Sequence, residues 1–277
     1  KRKLYEIEKI ENFKELVNRY KNLYKNKIAF KFKLSPQSKE IQKVSYNEFA
    51  DDIVSLADSL LKMDFKHKRI AIIAPNRYEW CVSYLAITTA DIVVVPLDKS
   101  LPDNEIKNLI KRSEATAVLF DKKYLHVFNE IYSSQDSNLK DFICYDNISK
   151  EDAKKLDNNF TSNLLDYKTL VQNGKSSIEN GSTLYDNIKI DNKKMSIMLF
   201  TSGTTSTSKA VMLSQKNICE DIYAIGQIAK VTTEDTFLSF LPLHHTFESS
   251  CTFLYGSFCG ICVAFCDGIK YIANNLK

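Results

Sequence analysis

One loop concentrates groups that could bind a polyphosphate. Residues 201–209 read Thr-Ser-Gly-Thr-Thr-Ser-Thr-Ser-Lys, which places seven hydroxyl groups, one glycine and one lysine in nine positions. Backbone N–H groups, rotatable hydroxyls and a fixed positive charge together suit a ligand with many acceptor oxygens and spread negative charge. Gly203 would let the backbone approach that ligand closely, and Lys209 would act as a point charge. The loop therefore predicts a phosphate-binding site.

Two other interpretations of this loop agree less well with its residues. A Walker-type loop requires G-x-x-x-x-G-K-[ST], but Ser208 stands at the second glycine and Ala210 at the hydroxyl that binds Mg²⁺. A flexible Ser/Thr linker is the other alternative. It explains neither the apolar strand predicted before the loop nor the single Lys209 followed by Val-Met-Leu.

A pair of histidines follows another predicted strand. His244 and His245 lie in the segment Leu-Pro-Leu-His-His-Thr-Phe-Glu at residues 241–248. Ligands collect at the carboxyl ends of strands in α/β folds, which makes the pair a candidate site. The alternative is a hydrogen-bonded structural role, which paired histidines commonly have.

The elements that would position these groups are short apolar runs that alternate with amphipathic helices. Residues 45–48, Ser-Tyr-Asn-Glu, have the form of a capping box, and the segment after them is apolar with a helical period. The runs at 69–74, 92–95 and 116–120 are apolar throughout, as in strands that are covered on both faces. Further strands are predicted at residues 142–145, 196–200, 211–213, 236–240 and 261–265. The sequence therefore predicts the α/β class, with layered, mostly parallel sheets and crossover helices.

The chain divides by composition into three predicted parts. Residues 1–146 form a first α/β subdomain that begins with a basic helix. Residues 147–192 are polar and weakly periodic, and we interpret them as a surface connection. Residues 193–277 begin a second α/β subdomain that carries the phosphate-binding loop.

The charge balance narrows the range of partners. The 277 residues include 38 lysines and arginines against 34 aspartates and glutamates, a net charge of +4. So mild an excess argues against nucleic-acid binding, which would require a concentrated basic face. The lysines among the first 33 residues fit either a solvated helix face or peripheral contact with an anionic membrane.

The cysteines and the uncharged C-terminal stretch predict neither a metal site nor a membrane span. Seven cysteines without a signal peptide indicate free thiols and a cytoplasmic location. Cys259 and Cys262 have metal-ligand spacing, but no histidine or second pair completes a site. Residues 249–266 carry no charge, yet serines and glycines dilute them. We expect a buried helix and a strand that turn at Gly260.

The phosphate-binding loop resembles the signature T-S-G-T-T-G-x-P-K-G-V of AMP-forming acyl-CoA synthetases, luciferases and peptide-synthetase adenylation domains. The matching positions are Thr201, Ser202, Gly203, Thr204, Thr205, Lys209 and Val211. Ser206, Ser208 and Ala210 replace the usual Gly, Pro and Gly. The histidine segment resembles the family's L-P-L-x-H, with His245 at the family position.

The resemblance extends upstream and is closest to bacterial long-chain fatty acyl-CoA synthetases. It includes Ala74-Pro-Asn76 and Val95-Pro-Leu-Asp98, in the family's order. Asp64, His67 and Ala90 stand where relatives often have glycine.

The resemblance implies a two-step ligation of a fatty acid or related carboxylate with ATP, Mg²⁺ and coenzyme A. It implies that Thr201, Ser202, Gly203, Thr204, Thr205 and Lys209 bind the β- and γ-phosphates. It also implies that Thr201 helps to hold Mg²⁺, and that His245 shapes the pocket for the carboxylate and the adenylate.

In the family, the adenine-binding segment, a ribose-binding Asp and a catalytic lysine follow later in the chain. We therefore expect these 277 residues to be the N-terminal portion of the ligase, without turnover alone. We also expect the sheet edge after the strand at residues 261–265 to be unpaired and prone to association. An acyl-AMP ligase that uses another carboxylate or a carrier-protein acceptor is the nearest enzymatic alternative. A naturally short, non-catalytic nucleotide-binding module is the alternative from another class.

Overall fold

The computed structural model describes residues 4–201 and 208–276, which fold into two β-sheets with helices packed between and around them. The α/β class and the mostly parallel sheets predicted from the sequence are confirmed. Four predicted phosphate-binding residues, Ser202, Gly203, Thr204 and Thr205, lie outside the described residues.

The larger sheet contains the apolar strands expected from the sequence. Its strands are β3 (Arg69–Ile73), β4 (Val93–Pro96), β5 (Ala117–Phe120), β6 (Asp141–Cys144), β7 (Leu164–Asp166), β8 (Met195–Thr201) and β9 (Lys209–Ser214). Their order in the sheet is β7-β6-β5-β3-β4-β8-β9, and only β9 is antiparallel to its neighbour. The carboxyl ends of the other strands therefore share one edge of the sheet.

The smaller sheet combines strands from the two ends of the chain. Its strands are β1 (Ile28–Phe32), β2 (Gln42–Ser45), β10 (Thr236–Ser239) and β11 (Cys262–Phe265), in the order β10-β11-β1-β2. Strand β1 is parallel to β11 and antiparallel to β2. The boundaries drawn from composition at residues 146 and 193 therefore do not coincide with the division into sheets, because these pairings join segments far apart in sequence.

The helices cover both faces of the larger sheet and fill the space next to the smaller one. The α-helices are α1 (Phe13–Arg19), α2 (Tyr46–Lys62), α3 (Tyr78–Thr89), α4 (Asp103–Ser113), α5 (Leu125–Ser134), α6 (Lys150–Ala153), α7 (Asn158–Ser162), α8 (Tyr167–Glu179), α9 (Gln215–Ile228), α10 (Gly256–Cys259) and α11 (Ile272–Asn275). Residues Tyr20–Tyr24 and Glu248–Tyr255 are π-helical, and Lys122–Tyr124 and Ile269–Tyr271 are 3₁₀ turns.

Helix α2 shows why local sequence signals predicted so many elements. The Ser45 hydroxyl accepts from the Glu48 N–H at 3.3 Å, and the Glu48 carboxylate accepts from the Ser45 N–H at 2.7 Å. This capping box satisfies two backbone donors that the first helical turn leaves without partners. Further along, Phe49, Ile53 and Leu56 are fully buried against the core.

The segment 147–192 was interpreted as a surface connection, and the structure corrects this interpretation. It contains β7, which pairs with β6, and α8, which packs against α2. The fully buried Asp58 carboxylate on α2 accepts from the hydroxyls of Ser177 and Ser182, both at 2.6 Å. The segment looks polar because the hydroxyls of Ser177 and Ser182 make part of its contact with the core, beside buried apolar residues such as Phe160 and Leu170.

The basic N-terminal helix also differs from the prediction. Helix α1 and its π-helical continuation end at Tyr24, and Lys31 lies on strand β1. Half-buried strands with an outward lysine lack the all-apolar pattern that identified the other strands. The N-terminal strands were missed for that reason.

Several predicted absences can be compared with the described part of the chain. None of its helices is long and apolar enough to cross a membrane. Residues 4–201 and 208–276 contain no cluster of three or more His, Cys, Asp or Glu side chains arranged to hold a metal ion. All seven cysteines are free thiols, and Gly260 makes the predicted turn with φ 75°.

Candidate active site

The hairpin of β8 and β9 carries the phosphate-binding sequence. Thr201 ends β8 and lies directly opposite Lys209, which begins β9, and both residues are exposed. Opposite residues of an antiparallel pair have side chains on the same face of the sheet. The Thr201 hydroxyl and the Lys209 ammonium therefore lie on one face, at the two stems of residues 202–207.

Helix α4 holds both stems of this loop. The Arg112 guanidinium donates to the Ser208 carbonyl at 2.5 Å and lies 5.3 Å from the centre of the Phe200 ring. The Ser208 hydroxyl donates to the Glu105 carboxylate at 3.3 Å. Phe200 precedes Thr201 and Ser208 precedes Lys209, so one helix positions both residues predicted to bind phosphate.

Residues 241–247, which we name the histidine turn, connect β10 with the π-helical segment. The His245 N–H donates to the Pro242 carbonyl at 3.0 Å, and the His245 carbonyl accepts from the Ser249 N–H at 3.1 Å. The His245 imidazole is exposed, and its Nδ1 accepts from the Phe247 N–H at 3.3 Å. Because an acceptor nitrogen carries no proton, the neutral ring has its proton on Nε2.

The His244 side chain contacts the edge of the larger sheet. Its Nε2 lies 3.5 Å from the carboxylate of Asp98, which follows β4. Burial lowers the pKa of His244 and outweighs the Asp98 charge, which raises it. Burial raises the pKa of Asp98, but hydrogen bonds from Ser100 and the neighbouring positive charges bring it below its ordinary value. The imidazole is therefore mainly neutral at pH 7, and the contact is polar rather than a full ion pair.

Asn76, which follows β3, attaches the histidine turn to the same edge. Its Nδ2 donates to the Leu241 carbonyl at 2.6 Å and to the Ser239 hydroxyl at 3.0 Å. Its Oδ1 accepts from the Leu243 N–H at 3.1 Å. One amide thus connects the ends of β3 and β10 with the turn that carries both histidines.

A cluster of charged side chains fills another part of this edge. Arg77 donates to Asp121 after β5, to Asp146 after β6 and to Glu79, at 2.8–3.1 Å. Burial lowers the pKa of Arg77, but these carboxylates outweigh it and raise the value. The strand order reverses between β3 and β5, where a ligand crevice is expected, and paired charges occupy this place.

The structure brings together two of the predicted segments through the order of the strands. The histidine turn contacts residues that follow β3 and β4, and β4 pairs with β8, which ends at Thr201. Thr201, Lys209 and the histidine turn therefore belong to the same region of the larger sheet's carboxyl edge.

Sequence reasoning missed the residues that hold these groups in place. They are Asn76, Asp98, Arg112, Ser239 and Glu248. Polar residues directly after predicted strands were a usable signal for Asn76 and Asp98. Arg112 lies within a helix among other charged residues, and nothing in its local sequence distinguished it.

The β8–β9 pair and the histidine turn both lie at the carboxyl edge of a mostly parallel sheet, the edge where ligands collect in α/β folds. The AMP-binding enzyme family matches residues 18–274, and the chain belongs to that family.

The chain is similar to known ligases over most of its length. It is 26% identical over 243 residues to a chloroplastic long-chain-fatty-acid–[acyl-carrier-protein] ligase of Arabidopsis thaliana, covering 85% of this chain and 32% of that protein. It is 29% identical over 251 residues to long-chain-fatty-acid–CoA ligase 6 of Rattus norvegicus, covering 85% and 34%. The chain thus spans about a third of the length of these relatives.

The fold is shared with a solved long-chain-fatty-acid-CoA ligase of Archaeoglobus fulgidus. The TM-score is 0.77 at 15% identity, and the alignment covers 95% of this chain and 49% of that one. At so low an identity the likeness shows the fold alone.

Proposed function

We propose that the native protein containing these residues is an ATP-dependent, AMP-forming long-chain fatty acid–CoA ligase. The observation that carries this proposal is the Thr201–Lys209 hairpin, which presents a hydroxyl and an ammonium on one face at the site of the family's phosphate-binding signature. The two relatives are named as long-chain fatty acid ligases, which supports the substrate class.

The proposed reaction has two steps. A carboxylate oxygen of the fatty acid attacks the α-phosphorus of ATP; the bond from that phosphorus to the bridging oxygen breaks, and pyrophosphate leaves. The sulfur of coenzyme A then attacks the acyl carbonyl carbon, and AMP leaves as the thioester forms. Such chemistry depends on positioning and charge stabilisation more than on a protein nucleophile.

The residues of this chain have separate roles in the first step. Lys209 and the hydroxyls and N–H groups of residues 201–205 would bind the β- and γ-phosphates. His245, exposed with its proton on Nε2, would orient the carboxylate at the adenylate pocket.

The groups of this chain would hold Mg²⁺ only together with the phosphate oxygens of a bound nucleotide. Thr201 offers one hydroxyl oxygen, and Mg²⁺ in nucleotide sites commonly takes one or two protein ligands together with phosphate oxygens and water. Thr201 would supply that ligand, and the ion would neutralise phosphate charge.

The acceptor in the second step has two candidates. Coenzyme A is the one favoured, in agreement with the rat relative's name, whereas the Arabidopsis relative is named for an acyl-carrier-protein acceptor. Supplying each acceptor in turn to the adenylating protein distinguishes them by the thioester formed.

The proposed setting is the cytoplasm, where the seven free thiols would stay reduced. The N-terminal lysines would allow peripheral contact with an anionic membrane, which vesicle co-sedimentation at low and high salt would test. The edge at strand β11 that was expected to be unpaired is occupied, since β11 pairs with both β1 and β10, so association through that edge is not proposed.

The test of the proposed function is ATP–pyrophosphate exchange by the product of the complete reading frame, with fatty acids of increasing length. Lys209→Ala should reduce exchange by about a hundredfold, because the substitution removes the positive charge that would bind the phosphates. Lys216→Ala, an exposed lysine one residue into α9, is the matched control and should retain exchange. Equal exchange in both variants would remove Lys209 from the site.

The second candidate, a non-catalytic nucleotide-binding module, remains because the family match is to a nucleotide-binding segment. It predicts ATP binding that Lys209→Ala weakens, without exchange for any carboxylate. The ligase proposal predicts exchange by the complete protein and none by the 277-residue chain alone.

A further inference from the structure

A continuous polar network surrounds the histidine turn and is not part of the proposed phosphate chemistry. It begins with the amide of Asn76, which donates to the Ser239 hydroxyl at 3.0 Å. Ser239 in turn donates to the Glu248 carboxylate at 2.6 Å, and the Thr252 hydroxyl donates to the other carboxylate oxygen at 3.0 Å. The donor and the acceptor of each hydrogen bond are defined, and the final acceptor is the Glu248 carboxylate.

The centre of the network is buried, whereas Asn76 at its start is half-buried and the turn that it holds is at the surface. Ser239 and Glu248 are each 1% exposed. Hydrogen bonds in a low-dielectric interior strengthen one another, and a missing partner is costly there. The geometry of the Ser239 and Glu248 side chains is therefore strongly constrained.

The network holds the histidine turn at both ends. Before the histidines, Asn76 binds the Leu241 carbonyl and the Leu243 N–H. After them, Glu248 begins the π-helical segment, and its side chain returns to Ser239 at the end of β10. The backbone of residues 244–247 is thus fixed between two anchored points.

We infer that Asn76, Ser239 and Glu248 are positioning residues that set the location of the His244 and His245 imidazoles at the carboxyl edge of the larger sheet. They contact the turn and each other rather than the reacting atoms. The consequence for catalysis rests on the proposed function, in which His245 orients the carboxylate.

The direct test is histidine NMR on the 277-residue chain. The chain has four histidines, so selective ¹³C and ¹⁵N labelling gives few signals, and single substitutions assign them. His67 and His126, which lie elsewhere in the chain, serve as internal references.

Asn76→Ala and Ser239→Ala should shift the ring signals of His244 and His245 and leave both reference signals in place. The matched controls are Gln215→Ala, which removes a buried amide with the same bonding pattern, and Ser59→Ala, which removes a buried hydroxyl bonded to the Leu170 carbonyl at 2.6 Å. These controls should leave all four signals unchanged. Unchanged His244 and His245 signals in Asn76→Ala, or equal shifts at all four histidines, would overturn the inference.

Glu248 allows a rescue experiment if the alanine variants fold poorly. Glu248→Gln keeps an acceptor for Ser239 and a polar atom for Thr252, so the histidine signals should stay near their wild-type positions. Glu248→Ala removes both and should shift them. The inference is wrong if glutamine and alanine displace the signals equally.

Catalysis gives an independent measurement. In the complete protein, Asn76→Ala should lower kcat/KM for the fatty acid by about tenfold to a hundredfold, while the KM for ATP changes little. If no carboxylate supports exchange, the proposed function fails, whereas the histidine shifts still decide whether the network positions the turn. If exchange is normal in Asn76→Ala, the positioning inference fails and the proposed function stands.

Discussion

Gln215 and Asn76 make the same three kinds of hydrogen bond in two different regions of the protein. Gln215, at the start of α9, accepts from the Phe13 N–H at 2.8 Å and donates to the Thr88 carbonyl and the Ser196 hydroxyl at 2.9 and 3.2 Å. Asn76 likewise accepts from one backbone N–H and donates to one backbone carbonyl and one serine hydroxyl.

The surroundings of the two amides differ. Gln215 is 2% exposed, and its side chain joins α9 with α1, α3 and strand β8 within the core. Asn76 is half-buried at the carboxyl edge, and Leu241, one of its partners, is 37% exposed. One bonding pattern stabilises the fold where water is excluded and, by our inference, positions the histidine turn where water has access.

The largest effect on stability is expected at Gln215. Gln215→Ala leaves a buried N–H, a buried carbonyl and a buried hydroxyl without partners, and should lower the free energy of unfolding by about 2–4 kcal/mol. Denaturant titration measures this loss. Gln227→Ala is the matched control on the same helix, since its amide only contacts the Tyr223 hydroxyl at 3.4 Å; a loss as large in the control would show that the junction is not special.

Asn76→Ala should cost less, about 1–2 kcal/mol, because water can reach part of the edge and replace some of the lost bonds. The same titration measures it. If Asn76→Ala destabilised the chain more than Gln215→Ala, the distinction between a core junction and a positioning junction would be contradicted.

A smaller, pH-dependent effect is expected at the edge. Because burial lowers the pKa of His244, the unfolded chain, with a value near 6.5, takes up the proton more readily than the folded chain. Stability should therefore fall as pH decreases from about 7.5, through the unfolded pKa, towards the lower folded pKa.

His244→Gln should lose less stability than the wild type between about pH 7.5 and about pH 5.5. Thermal unfolding at both pH values measures the difference, with the exposed His126→Gln as the control. An undiminished pH dependence in His244→Gln would contradict the assignment.

The smallest effect concerns Asp98. Its carboxylate raises the pKa of His244, so Asp98→Asn should lower that value further. An NMR titration of the His244 ring measures the change, with His67 as reference. A rise in the pKa would mean that the 3.5 Å contact does not act on His244 as described.

Local signals allowed much of the fold to be predicted from sequence. The capping box at Ser45 and the all-apolar β3 are examples in which a few neighbouring residues determine the element. Asp64 and His67, which the resemblance predicted to stand at glycine positions of the family, have φ of 60° and 62°, which is the conformation that favours glycine. Strand β1 was missed because it lacks the all-apolar pattern, and its partner β11, more than two hundred residues later in the sequence, adds no local signal.

The candidate site was less accessible to sequence reasoning. Thr201 and Lys209 could be chosen because the loop has the composition of a phosphate-binding segment. Asn76 had a local signal as a polar residue directly after a predicted strand, but its role could not be predicted, since its partners are 163, 165 and 167 residues away. The roles of Thr201, Lys209 and His245 in binding stay predictions.

The most direct test of the account is ATP–pyrophosphate exchange with a long-chain fatty acid, measured in parallel on the complete protein and on the 277-residue chain. The account predicts exchange by the complete protein that depends on the fatty acid and is lost in Lys209→Ala, and no exchange above background by the chain alone. Exchange by the 277-residue chain, or a complete protein that exchanges equally well with and without Lys209, would contradict it.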